Sequence, residues 1–155
     1  MRPIALAALC LSLSSPGLAL ACQTPPNAPA LRAEVIALTN AQRKAKGLRP
    51  VGEDAALAKA AQAHACDNAD SGRMSHDGSD GSTLPVRMER AGYDYREAAE
   101  NVAAGFFDAP SVVSGWMGSK GHRRNIMNRN VRDIGIGVAI GADGQIYWAM
   151  DLGRN

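Results

Sequence analysis

Ile134-Gly135-Ile136-Gly137-Val138-Ala139-Ile140, followed by Gly141-Ala142-Asp143-Gly144 and then by residues 145–152, is the stretch that decides the architecture. Branched apolar residues at 134, 136, 138 and 140 alternate with Gly135, Gly137 and Ala139, which is the period of a strand. Gly141-Ala142-Asp143-Gly144 is turn chemistry, so the whole segment predicts a β-hairpin. Residues 101–106 offer a third strand, and a fourth is too weak to place. Upstream the pattern is helical. Leu31, Val35 and Leu38 recur at helical spacing until Gly47. Asp54 is placed to cap a second helix that carries Leu57, Ala60, Ala61 and His64 on one face and stops before Gly72. Thr83, with Pro85 inside the first turn, opens a short third helix ending near Gly92. A fourth runs from about Asp108-Ala109-Pro110 to Met117, and a further helical turn follows around residues 122–127. Helices first and strands late, without βα alternation, predict an α+β fold with an antiparallel sheet.

The N-terminus reads as an address. Arg2 precedes an apolar run of about ten residues, roughly half of what a bilayer needs, and Pro16-Gly17 and Ala19-Leu20-Ala21 follow. That is a signal peptide over residues 1–21, and it predicts export to the periplasm or the medium. Cleavage there exposes Cys22, which raises lipoprotein anchoring as a minor alternative, but Ala19 and Leu20 match a lipobox poorly. No later segment is apolar enough to span a membrane. Cys10 is lost with the signal, leaving Cys22 and Cys66 as an even pair in an oxidising compartment, and they are predicted to be bridged. Closing such a loop contributes about 4 kcal/mol on the chain-entropy account. Residues 22–30 form a proline-rich lead-in, and residues 31–155 suit a single domain, expected to be a monomer. Arg123, Arg124, Arg129 and Arg132 cluster. Acids occur along the chain, however, and few aromatics accompany the arginines, so nucleic acid is excluded as a partner.

Three places combine polar side chains with small neighbours: Met74-Ser75-His76, Ala99-Glu100-Asn101-Val102-Ala103, and residues 115–123, which carry Trp116, Ser119 and His122. Together with Asn125-Ile126-Met127, Gly135-Ile136-Gly137 and Tyr147-Trp148, in this order and spacing, they resemble the bacterial branch of the CAP superfamily, the cysteine-rich secretory, antigen 5 and pathogenesis-related proteins. The resemblance covers nearly the whole domain after residue 30. It implies an α-β-α sandwich with a central antiparallel sheet between helical layers. It also implies a cleft lined by His76, His122 and Glu100. Where the family often has a second glutamate, three residues after the tryptophan, this chain has Ser119.

Two imidazoles and a carboxylate form the ligand set of a zinc site with an open position, so His76, His122 and Glu100 are the tentative metal ligands, for zinc or another divalent cation. The same trio suits the base, acid and orienting group of a hydrolase, the alternative reading. No cofactor is required by the sequence. With both cysteines bridged, and no Gly-x-Ser-x-Gly or His-Glu-x-x-His motif, the reading leans to a non-enzymatic binding or interaction module. The resemblance implies lipid, sterol, peptide or protein ligands. Asn101 is read as an orienter beside Glu100, tying the strand to a neighbouring loop, and Ser119 as a cleft residue. His64, on the alanine-rich face of the second helix, reads as a buried, hydrogen-bonded histidine. Trp116 and Trp148 read as packing residues.

Overall fold

In chain order the elements are α1 (Ala28–Lys44), β1 (Gly52–Glu53), α2 (Ala55–Ser71), α3 (Leu84–Ala91), β2 (Glu97–Ala104), α4 (Ala109–Gly118), α5 (Lys120–Ile126), β3 (Asp133–Ile140) and β4 (Ile146–Arg154). They come from a computed structural model, which describes residues 22–155. The signal-peptide reading and Cys10 lie outside the described residues.

The helix boundaries follow local chemistry. Asp54 Oδ1 accepts from Ala56 N and Leu57 N, both at 2.9 Å, and starts α2. Gly72 ends it with φ 61°, a conformation that side chains with a Cβ avoid. Asp108 starts α4 by accepting from Ser111 N at 2.7 Å. α1 begins at Ala28, inside the proline-rich segment expected to lead in to the domain. Pro29 is compatible with this because a first helical turn needs no N–H from it.

Three long strands form the antiparallel sheet expected from the hairpin. β3 pairs with β4, Ile134 opposite Leu152 and Ile140 opposite Ile146, and β4 pairs with β2, Glu100 opposite Asp151. The strand order is β1-β3-β4-β2. The fourth strand, β1, is only two residues long and runs parallel to β3, too short to leave a pattern in sequence. The third strand forms at Glu97–Ala104 rather than at residues 101–106. Gly105 ends it at φ 82°. Its polar residues, Glu97, Glu100 and Asn101, fall on both faces, so no apolar alternation marks its start.

Alternation along β3 and β4 separates the two helical layers. Ile134, Ile136, Val138, Trp148, Met150 and Leu152 are fully buried and pack with Val35, Val112, Trp116 and Ile126 from α1, α4 and α5. On the other face Gly135, Gly137, Ala139 and Ala149 meet α2. A Cβ on Gly135 would lie 2.1 Å from the Leu57 carbonyl carbon, and one on Gly137 2.1 Å from the Ala61 carbonyl oxygen. The helix therefore rests on bare sheet backbone, which only glycine permits. α3 packs on the same side through Leu57, Met88 and Tyr93. The architecture is the expected α-β-α sandwich.

Cys22 and Cys66 are joined by a disulfide across a sequence separation of 44 residues. It ties the N-terminal segment to α2. Beside it Ile140 N donates to Gln23 O at 2.8 Å. The two fates read for Cys22 are exclusive, since a sulfur in a disulfide carries no thioether. Among the described residues no helix is long and apolar enough to cross a membrane.

Candidate functional site

Glu100 lies near the middle of β2 on the α2 face and is 6% exposed. A buried carboxylate needs partners for both oxygens, and it has them. Oε2 accepts from Arg87 Nη2 of α3 at 2.6 Å, and Oε1 accepts from His76 Nδ1 of the polar loop at 2.7 Å. Arg87 is anchored in turn by donating from Nη1 to Ser82 O at 2.8 Å. Burial alone would push the Glu100 carboxyl up. The His76 hydrogen bond and the neighbouring His64 and Arg87 outweigh it, and hold the group below its ordinary value and ionised.

His64, on α2, is buried, and its Nε2 lies 2.8 Å from Ser75 O and 3.7 Å from Glu100 Oε2. Burial lowers its pKa, more than the Glu100 charge raises it, so the ring is neutral at neutral pH. Facing a carbonyl oxygen, Nε2 must carry the proton and donate. Asn68 Nδ2 donates to the same oxygen at 3.1 Å. Two side chains of α2 thus fix the carbonyl that immediately precedes His76. The sequence reading of His64 as a structural histidine holds.

His76 itself is mostly outside, its side chain 60% exposed. Its pKa is raised, first by the hydrogen bond to Glu100. Since Nδ1 donates to that carboxylate, Nε2 is the ring nitrogen left to meet a ligand. His122, near the start of α5, is half-buried. Burial and then the charge of His76 lower its pKa, so the two rings sense each other. The backbone of His122 is set by β2: Asn101 Nδ2 donates to His122 O at 3.2 Å, while Asn125 Nδ2 donates to Asn101 Oδ1 and Glu100 O, both at 2.9 Å. Asn101 is fully buried and on the opposite face of the strand from Glu100. Its amide ties β2 to α5, on the side of the sheet away from Glu100. Ser119, half-buried, joins α4 to α5 and accepts through its carbonyl from Arg123 N at 2.9 Å.

Each Glu100 oxygen already accepts a hydrogen bond, Oε1 from His76 and Oε2 from Arg87. Among the described residues no group of three or more His, Cys, Asp or Glu side chains is arranged to hold a metal ion. The three-residue ligand set expected from sequence is therefore not assembled around Glu100, which orients instead.

Sequence reasoning missed Arg87, Asn125 and Asp151. Arg87 had a signal, since it occupies an inward position of α3 beside Met88, where an apolar residue would ordinarily sit. Asp151 had one too, as an acid between Met150 and Leu152 in an apolar strand. It supplies a second carboxyl where Ser119 does not, directly across the sheet from Glu100. It is wholly buried, and neither oxygen accepts a hydrogen bond from a neighbouring donor among the described residues. Burial, then the charge of Glu100 and a hydrogen bond with its carboxyl, push the pKa well above the usual aspartate range, which favours the neutral form.

Known proteins share both the sequence pattern and the fold. The cysteine-rich secretory protein (CAP) family matches residues 36–152. The uncharacterized protein YkwD of Bacillus subtilis (strain 168) is 35% identical over 130 residues, 84% of this chain and 50% of that protein. An extracellular protein containing an SCP domain from Bacillus anthracis str. Ames superposes with a TM-score of 0.75 at 27% identity, covering 84% of this chain and 44% of that one. An outer surface protein from Borrelia burgdorferi superposes with a TM-score of 0.77 at 20% identity, covering 87% of this chain and 99% of that one. The chain spans about half the length of the two Bacillus proteins.

Proposed function

The chain belongs to the cysteine-rich secretory protein (CAP) family, and from that premise we propose that it is an exported binding module whose cleft takes a divalent metal ion, zinc above all, on His76 and His122. The observation that carries this is the 2.7 Å hydrogen bond from His76 Nδ1 to buried Glu100. A carboxylate on the far nitrogen fixes the tautomer and direction of a metal-ligating imidazole and raises its basicity. His122 complements it, because its lowered pKa keeps a lone pair available at neutral pH. The buried charges beneath are already balanced, Glu100 against Arg87, so a cation would meet ligands rather than a surplus of either sign. Such a site leaves coordination positions for water or for a polar group of a further ligand, and the metal would act there as a Lewis acid.

Binding without turnover is the better supported reading. Both cysteines of the described chain are spent in the bridge, and the Ser75 hydroxyl accepts from Asp77 N at 3.0 Å. Localisation outside the cytoplasm accords with the disulfide and with the extracellular and surface proteins that share the fold.

Calorimetric titration of zinc into the mature, disulfide-intact, chelator-treated protein tests the proposal. The expected result is one saturable site of micromolar affinity or better, lost in His76→Ala and in His122→Ala. Glu100→Gln should weaken it by about 10- to 100-fold, the usual effect of a lost supporting carboxylate. Absence of binding, or binding indifferent to both histidines, would overturn the proposal. Peptide hydrolysis that needs zinc and disappears in His76→Ala would replace it with the hydrolase.

A further inference from the structure

After Glu34, the two longest stretches without an acidic residue are residues 35–52 and 109–132. The first carries Arg43, Lys44, Lys46 and Arg49. The second carries Lys120, Arg123, Arg124, Arg129 and Arg132. More than half of the seventeen lysines and arginines thus lie in segments without one of the fifteen acids. A net charge of +2 conceals this, because the excess acid is elsewhere.

Folding brings the two segments together. Arg43 is wholly buried at the end of α1. It donates from Nη1 to Ile126 O at 2.7 Å and Asn128 O at 2.8 Å, and from Nε to Arg49 O at 2.9 Å. Between them opens a concavity of about 500 Å³ whose walls carry Lys46, Lys120, Arg123, Arg124 and Arg129, with Leu48 and Met127 half-buried among them. All five cations are exposed. Among the described residues none of them makes an ion pair. Below them Arg43 adds a sixth positive charge, with no acid beside it and with Nη2 lacking an acceptor.

We infer that this concavity is a binding site for a compact polyanion bearing several phosphate groups. Like charges gathered around a cleft focus potential into it and draw in counter-charge. Three of the five exposed cations are arginines, whose planar forks match phosphate oxygens in pairs. A volume of this size admits a small molecule and not a flat surface, and phosphate groups bring the most charge into the least space. Leu48 and Met127 offer an apolar floor for the body that joins the phosphates. None of His76, Glu100 and His122 lines the concavity, so the inference stands apart from the metal site.

The probe is sodium tripolyphosphate, titrated calorimetrically into the mature, disulfide-intact protein in chelator at two salt concentrations. Saturable binding that weakens at the higher salt is expected. The double variant Arg124→Glu/Arg129→Glu should weaken it about tenfold or more, the scale of losing charge-assisted hydrogen bonds. Arg124→Lys/Arg129→Lys should retain most of it, and His76→Ala all of it. Melting temperatures close to that of the parent would show that these exposed changes leave the fold intact. No saturation in the millimolar range, or equal affinity in the charge-reversed protein, would overturn the inference. A parallel arm sediments the protein with phosphatidylglycerol vesicles. Co-sedimentation that tripolyphosphate displaces supports a shared phosphate site, whereas co-sedimentation that it cannot displace would assign the patch to a membrane surface instead.

Discussion

The two faces of the sheet are built from the same strands and do opposite work. Facing α1, α4 and α5, the strands present Ile134, Ile136, Trp148, Met150 and Leu152, all fully buried. This is the bulk of the apolar area removed from water, hence of the hydrophobic stabilisation. Facing α2 and α3 they present mainly glycine and alanine beside Val102 and Tyr147, and among these sit Glu100 and Asp151. Small residues let α2 settle onto the backbone, which brings His64 Nε2 to 3.7 Å from the carboxylate. One step of strand parity decides which helical layer a residue meets. Glu100 and Asn101 are neighbours in sequence and lie on opposite faces.

That contrast can be broken at several points. The largest effect is expected for Gly137→Val. Its side chain would start where the Ala61 carbonyl already is, and backbone cannot swing aside. The expected loss exceeds about 4 kcal/mol, in the range reserved for gross disruption, and little soluble protein should be recovered. Trp148→Ala on the opposite face empties a buried site and removes the hydrogen bond from its Nε1 to Phe106 O. It should lower stability by about 3–5 kcal/mol in denaturant unfolding while the zinc affinity of the surviving folded protein stays unchanged. Arg87→Met, which strands Glu100 without its cation, should cost about 3 kcal/mol. If the site face serves binding and not stability, adding Glu100→Leu recovers much of that loss while weakening zinc binding at the proposed site about 10- to 100-fold. A double variant no more stable than Arg87→Met alone would show that the ionic cluster is needed for the fold.

The smallest effect concerns pH. A raised pKa at His76 means that its pairing with Glu100 stabilises the fold fully below the ordinary histidine value of 6.5, and that this is lost as pH rises through the folded value. A lowered pKa at Glu100 means its share is present above the ordinary carboxyl value of 4.5 and is lost as pH falls through the folded value. The difference in melting temperature between the parent and His76→Gln should therefore peak between about pH 5 and 6.5 and vanish in mild alkali. Its size should stay below about 1 kcal/mol, because solvent screens so exposed a partner. A difference that grew with alkali would refute the pairing.

Much of this was legible in the sequence, and the reasons are specific. The hairpin showed because β3 alternates strictly. α2 showed because Asp54 and Gly72 mark its ends by local hydrogen bonding and backbone conformation. The bridge of Cys22 to Cys66 followed from parity and compartment. The start of β2 did not show, because Ala98, Ala99, Glu100 and Asn101 carry no contrast between faces. In the site, His76, Glu100 and His122 came from the order of motifs. Arg87 and Asp151 did not, because a charge at a buried position is explained only by a partner distant in sequence. The basic concavity was hidden for a similar reason, since segments far apart in the chain share it and net charge averages it away.

Asp151 has one more consequence. The fold closes around this side chain in its neutral form, whereas an unfolded aspartate gives up its proton above its ordinary value of 3.8. Between that value and the folded one, the chain must capture a hydrogen ion from solution in order to fold. Through this side chain folding consumes acid, and the heat measured for it in that window carries a contribution from the ionisation enthalpy of the buffer that supplies the proton. This side chain favours completion of the fold in a mildly acidic medium over an alkaline one, although it never touches the solvent.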